Sequence, residues 1–200
     1  PHQSSAASDV YKRQILVIDN YDSFVFNLVH ILKNIENVKS VTVKKNDKIS
    51  LSEVSNFQKI LLSPGPSLPK DAGLMPQIIQ EFSSTKSILG VCLGHQAIAE
   101  AFGGSLHNLT NPLHGVASNI KLEKDDYLFE NTAASFKIGH YHSWVVNNDL
   151  SNELECIAKD KDNHIMALRH KNFDVRGVQF HPESVLTEHG IQMITNWVNF

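Results

Sequence analysis

A chain of 200 residues with 42% hydrophobic content can bury one sizeable core, and two full domains would be cramped. Its 18 Lys and Arg against 21 Asp and Glu leave a formal charge of -3, and no basic stretch is long enough to follow a phosphate backbone, so nucleic acid is excluded as a partner. No apolar run approaches the roughly 20 residues of a membrane span and nothing near the start resembles a secretory signal, which predicts a soluble, cytoplasmic protein with no membrane partner.

The first fourteen residues, Pro1 to Gln14, are polar and rich in small side chains, and read as a non-native or disordered segment ahead of one domain over 15–200. Ile15-Leu16-Val17-Ile18 is the first buried strand, leading through Asp19-Asn20-Tyr21-Asp22-Ser23 into a helix whose apolar face carries Phe24, Leu28, Ile31, Leu32 and Ile35. Val41-Thr42-Val43 reads as the second strand. Ser50 with Glu53 predicts a capping box on a short helix, after which Lys59-Ile60-Leu61-Leu62 is the third strand, ending at Ser63-Pro64-Gly65-Pro66-Ser67. A helix carrying Leu74, Ile78, Ile79 and Phe82 follows, then strand Ile88 to Val91, then a helix from about Leu93 that Gly103-Gly104 ends. Beyond Gly104, segments around Val116 to Leu122, Phe136 to His142, Leu154 to Ala158, Ile165 to Arg169 and Val175 to Phe180 predict antiparallel additions to the sheet. A closing helix carries Ile191, Ile194, Trp197 and Val198. The alternation predicts an α/β domain with an open, mostly parallel mixed sheet between helices.

Three elements carry chemistry. Gly90-Val91-Cys92-Leu93-Gly94 has the G-x-nucleophile-x-G form of an elbow between a strand and a helix. A thiol at a helix N-terminus meets the positive end of the macrodipole, which favours the attacking thiolate. A lone Cys is more often a small buried hydrophobe, the reading given to Cys156, but the flanking glycines reverse those odds for Cys92. Two cysteines in unlike settings suggest neither a disulfide framework nor a zinc site.

The nucleophile needs a base. Phe180-His181-Pro182-Glu183 sets an imidazole beside a carboxylate that can hold its tautomer, although a strand-ending turn would explain the tripeptide equally well by itself. The third element, the Ser63 to Ser67 loop, stands at the carboxyl end of a strand, where open α/β sheets bind ligands. Pro66 has no N–H, so the amides of Gly65 and Leu93 are the candidate donors to a tetrahedral oxyanion.

Together these elements resemble the class I, triad-type glutamine amidotransferases. Ile18 to Phe24, Leu62 to Pro66, Gly90 to Ile98, His114-Gly115, Tyr141-His142-Ser143 and Gln179 to Ser184 match in order, so the resemblance runs from Ile15 to the end. The Asp-Asn-Tyr-Asp-Ser-Phe opening and His-Pro-Glu-Ser ending are most similar to subunits serving chorismate-using synthases, for anthranilate in tryptophan biosynthesis or aminodeoxychorismate in folate biosynthesis.

The resemblance implies a flavodoxin-like fold, with Cys92 as nucleophile, His181 as acid and base, and Glu183 as its orienting carboxylate. It implies that L-glutamine is held by Gly65, Pro66 and Ser67, by Leu93 and Gln96 on the elbow helix, and by Ser143 and Trp144. Glutamine would be hydrolysed through a cysteinyl thioester and the ammonia passed to the synthase subunit in a hetero-oligomer. Magnesium and chorismate belong to that partner, so no cofactor and no metal is expected in this chain. Ser67 departs from the Pro-Gly-Pro-Gly common in the family and puts in doubt any positive φ there. Trp144 stands where the family often has Leu.

Three rival readings compete. His140, His142 and His181 could converge as metal ligands, but no local ligand pair supports it. A stand-alone γ-glutamyl thiol hydrolase would share the triad, and a non-catalytic binding subunit would not need an elbow.

Overall fold

The computed structural model describes residues 13–200. Most of the segment set aside at the start, residues 1–12, therefore lies outside the described residues. Strand β1 (Arg13–Asp19) opens two residues before the apolar run, because parallel pairing to β2 (Val38–Lys45) uses only main-chain groups and accepts Arg13 and Gln14 as readily as Ile15.

The β1 side chains alternate between two cores. Ile15 and Val17 face helices α1 (Val25–Lys33) and α5 (Gly190–Asn199), while Leu16 and Ile18 face α3 (Met75–Phe82) and α4 (Leu93–Ala101). A strand buried on both faces reads as a continuous apolar run, as Ile15 to Ile18 does. Short helix α2 (Leu51–Val54) carries the expected capping box: Glu53 N–H donates to Ser50 Oγ at 3.2 Å, and Ser50 N–H to Glu53 Oε2 at 2.9 Å.

Strands β3 (Lys59–Leu62), β4 (Ser87–Val91), β5 (Leu106–Leu122), β6 (Ser135–Val146), β7 (Leu154–Asp160), β8 (Ile165–His170) and β9 (Val175–Val178) complete one sheet among the described residues. The order is β2-β1-β3-β4-β9-β8-β7-β5-β6. The run from β2 to β9 is parallel and the remaining pairings are antiparallel. Strand β9 differs from the expectation of an antiparallel addition: it pairs β8 antiparallel on one side but β4 parallel on the other, so it closes the parallel core.

Strand β5 is much longer than the segment from Val116 foreseen in the sequence. Its first half, with Asn108, Asn111 and Pro112, is largely exposed and lacks apolar alternation, and its register to β6 shifts between Asn108 and Leu113. Because β2 and β3 lie on opposite sides of β1, the carboxyl ends of β1 and β3 form a switch point, the usual location of a ligand crevice. The chain there continues into Asn20, Ser63, Cys92 and Gln179 from the ends of β1, β3, β4 and β9.

Candidate active site

Cys92 stands between β4 and α4 with φ 52° and ψ -98°. This left-handed geometry is strained for a residue with a Cβ and costs on the order of 1–3 kcal/mol. Two main-chain bonds hold it: Cys92 N–H donates to Val178 O at 2.8 Å and Gln96 N–H to Cys92 O at 3.1 Å. The glycines are there for close approach: a Cβ on Gly90 would fall 2.5 Å from Gly94 O, and one on Gly94 2.5 Å from Leu62 O.

Downstream of β9, His181 Nδ1 and Glu183 Oε1 are 2.7 Å apart. His181 is further held by its own main chain, whose N–H donates to Gly139 O at 3.3 Å and whose carbonyl accepts from Thr187 Oγ1 at 2.6 Å. The rings of Phe24 and Tyr141 pack against the imidazole at 5.0 and 4.9 Å, excluding water from it. Its Nε2 is buried without a nitrogen or oxygen partner, and the Cys92 sulfur is the group that acts on the imidazole beside Glu183. Burial opposes charge on His181, yet the Cys92 sulfur and the Glu183 carboxylate outweigh it and push its pKa up to about 10.

A cavity of about 220 Å³ opens beside the thiol, below the roughly 300–1,000 Å³ of drug-sized sites and suited to a metabolite of amino-acid size. Of the binding residues nominated from sequence, Gly65, Pro66, Ser67, Gln96, Ser143 and Trp144 line it together with Cys92. Leu93 does not; its side chain turns to Gly65, where an added Cβ would meet it at 2.8 Å, and what it offers the site is its main-chain amide in the first turn of α4. Ser67 adopts φ 66°, so serine holds the positive φ that its identity put in question. Trp144 contributes its carbonyl, which accepts from Gln96 Nε2 at 3.0 Å and faces His142 Nδ1 at 3.1 Å.

Four wall residues went unassigned in the sequence. Pro112, Leu113 and His114 come from the irregular half of β5, and Tyr141 from β6. The motif match at His114-Gly115 and Tyr141-His142-Ser143 was the available signal. His140 and His142 do not converge with His181 on a common point: His140 Nδ1 bonds His142 Nε2 at 2.9 Å, and His140 Nε2 bonds Ser118 Oγ at 2.6 Å. Burial lowers the pKa of both, that of His142 to about 3. His95, fully buried on α4 against Gly177, is lowered by burial to about 4 and faces away from the cavity.

The family model for class-I glutamine amidotransferases matches residues 16–199. The chain is 40% identical over 188 residues to aminodeoxychorismate synthase component 2 of Escherichia coli, covering 92% of this chain and 99% of that protein. It is 42% identical over 189 residues to anthranilate synthase component 2 of Cyanophora paradoxa, covering 92% and 98%. The bifunctional protein TrpGD of Thermotoga maritima is 42% identical over 190 residues, 94% of this chain but 32% of that longer protein. Among solved structures, a Thermoplasma acidophilum protein described as a GMP synthase subunit superposes with a TM-score of 0.83 over 94% of this chain and 92% of that one, and at 22% identity it speaks for the fold. A family match over nearly the whole described chain, and relatives at this identity, establish that the protein belongs to the class-I glutamine amidotransferases.

Proposed function

We propose that this chain is the glutaminase subunit of a chorismate-using synthase, hydrolysing L-glutamine at Cys92 and delivering ammonia to its partner. The observation that carries this is the strained elbow at Cys92 in the wall of the cavity, with the His181–Glu183 pair behind it at 2.7 Å.

The chemistry follows from those groups. The Cys92 thiolate adds to the glutamine side-chain carbonyl, and the main-chain amides of Gly65 and Leu93 receive the negative oxygen. Collapse of the adduct expels nitrogen as ammonia, with His181 supplying the proton and Glu183 stabilising the imidazolium. The resulting γ-glutamyl thioester is attacked by water, His181 taking back a proton. Glutamate leaves and the thiolate returns. The reaction so written uses no cofactor in this chain; magnesium and chorismate are assigned to the partner.

The pathway reading is anthranilate formation for tryptophan, with aminodeoxychorismate for folate as the alternative, since relatives of both names match at similar identity. Partnership is supported by the surface beside the triad. Val185, fully exposed two residues after Glu183, joins exposed Ile191 in a groove of about 500 Å³ also lined by Asn27, His30, Pro182 and Glu183. Free Cys92 and Cys156, and the absence among the described residues of any helix long and apolar enough to cross a membrane, accord with work in the cytoplasm.

The test is to purify the chain with each candidate synthase and measure glutamate release with and without that partner, in the presence of chorismate. Low release alone, rising severalfold in the complex, supports the reading. Full activity alone would instead identify an independent hydrolase, and the amine formed from chorismate decides the pathway.

A further inference from the structure

Gln179 is fully buried just past the end of β9, and its side chain lies against the reacting sulfur: its Nε2 is 3.6 Å from Cys92 Sγ. Which end of this carboxamide meets the sulfur is settled by its neighbours. The Trp144 carbonyl can only accept, so the Gln96 atom 3.0 Å from it is the amide nitrogen. The second N–H of that nitrogen points to Gln179 at 3.2 Å, which must present its oxygen there. The amide nitrogen of Gln179 is left facing Cys92. Turning Gln179 over would set two nitrogens against each other, and turning Gln96 as well would set two oxygens together at Trp144.

The Trp144 carbonyl is itself fixed from the opposite side. His142 Nδ1 lies 3.1 Å from it and must carry the proton, which makes His142 Nε2 an acceptor for His140 Nδ1–H and His140 Nε2 an acceptor for the Ser118 hydroxyl. Every donor and acceptor from Ser118 to Cys92 is thereby assigned one direction. Burial, which disfavours charge on both histidines, keeps that direction intact at neutral pH.

We propose that Gln179 holds the Cys92 sulfur as thiolate by donating a side-chain N–H to it, in a direction imposed by Gln96 and the Trp144 carbonyl. This rests on the reading of Cys92 as the nucleophile. A thiolate is a far better acceptor than a thiol, so the bond favours the attacking form, and hydrogen bonds to ionised partners are the stronger class. The other titratable groups on this side of the sheet are His181 and Glu183 from the turn after β9, and His142 from β6, which shares the cavity wall with Cys92. His181 supplies charge from one side, and Gln179 supplies a neutral donor that stays in place when His181 gives up its proton during turnover.

The test is the rate of Cys92 alkylation by iodoacetamide from pH 5 to 10, with Cys92→Ser used to subtract Cys156. Gln179→Glu keeps an oxygen for Gln96 but has no N–H for the sulfur, and Gln179→Met fills the space with no donor at all. Both are expected to alkylate about tenfold more slowly at pH 7, the scale of one charge-assisted bond, with the profile moved to higher pH. A purely packing role predicts that Gln179→Met, which fills the space without adding the carboxylate charge that by itself disfavours a thiolate, keeps the wild-type profile, and that result overturns the proposal. In the wild-type protein a glutamine side-chain N–H resonance should shift with pH in step with alkylation and cease to do so in Cys92→Ser; its failure to shift also overturns the proposal, even where both variants fold poorly. The parent reading fails separately, if wild-type Cys92 reacts no faster than Cys156.

Discussion

Asn20 fastens the Ser63 loop by two bonds to a single residue: its backbone N–H donates to Ser63 Oγ at 2.9 Å and its side-chain amide to Ser63 O at 2.8 Å. The same side chain accepts from Asn46 Nδ2 at 2.9 Å and reaches Met75 Sδ at 3.3 Å, so its polar capacity is spent inside the protein. Gly65 rests on it, for a Cβ there would lie 2.6 Å from Asn20 Cβ. Asn20 thus sets the height of the loop that forms one wall of the cavity.

Asn20→Ala leaves Ser63 O and Asn46 Nδ2 buried without partners, at a cost of about 2 kcal/mol. A fall in denaturation midpoint of that size is expected, with a KM for glutamine raised severalfold as Gly65 and Ser67 lose their support. An unchanged KM would show that the loop is positioned by its own prolines.

Ser67→Gly is expected to stabilise. At φ 66° a serine bears a left-handed penalty of about 1–2 kcal/mol, which glycine escapes while losing about 0.5–1 kcal/mol in chain entropy. The net gain of about 0.5 kcal/mol should appear as a small rise in denaturation midpoint. A fall would mean that the Ser67 side chain stabilises the loop in its own right.

The strand-helix alternation, the elbow and the His-Pro-Glu turn were legible because each is a local pattern: Ile15 to Ile18 must be buried, and Gly90 and Gly94 must flank a sharp turn. The role of Asn20 was not, since a strand-to-helix turn explains Asp19 to Ser23 by capping alone. Asp22 bonds as locally as that, taking the Phe24 N–H at 2.7 Å in a turn ahead of the helix, whereas the Asn20 bonds to Ser63 span 43 residues of chain. The exposed half of β5, which supplies His114, has no burial to write a pattern into its sequence. Gln179 reads as one more residue of a motif until Gln96 and Trp144 are seen to aim it.

Stability should fall at both ends of the pH range, for opposite reasons. His181 is raised to about 10 in the folded protein, so its contribution is full below the unfolded value near 6.5 and is lost as pH rises through about 10. His95 and His142 are lowered to about 4 and 3, so they bind protons in the unfolded chain first, and stability drops as pH falls from about 6 toward those values, by up to about 1.4 kcal/mol per pH unit for each. Denaturation midpoints from pH 4.5 to 10.5 test this. In His181→Gln the alkaline decline should flatten while the acid decline persists; a flat acid limb would contradict the neutral burial of His95 and His142.

Cys92→Ser should abolish glutamine-dependent amination by the complex and leave ammonia-dependent amination almost unchanged. The two routes share the partner and its substrate and differ only in the source of nitrogen. A serine hydroxyl at the same strained position is a weak nucleophile at neutral pH. The His181–Glu183 pair faces a group it would have to deprotonate, rather than a sulfur that ionises readily. A loss of at least about a thousandfold in glutamine-driven rate is expected, on the scale seen when a nucleophile is removed from a triad. Ammonium salts at raised pH bypass Cys92, His181 and Glu183 together. Because serine differs from cysteine by one atom, the groove around Val185 should dock the partner as before, and copurification of the complex checks this. Loss of both routes would place Cys92 in assembly; retention of the glutamine route would remove the thioester from the mechanism.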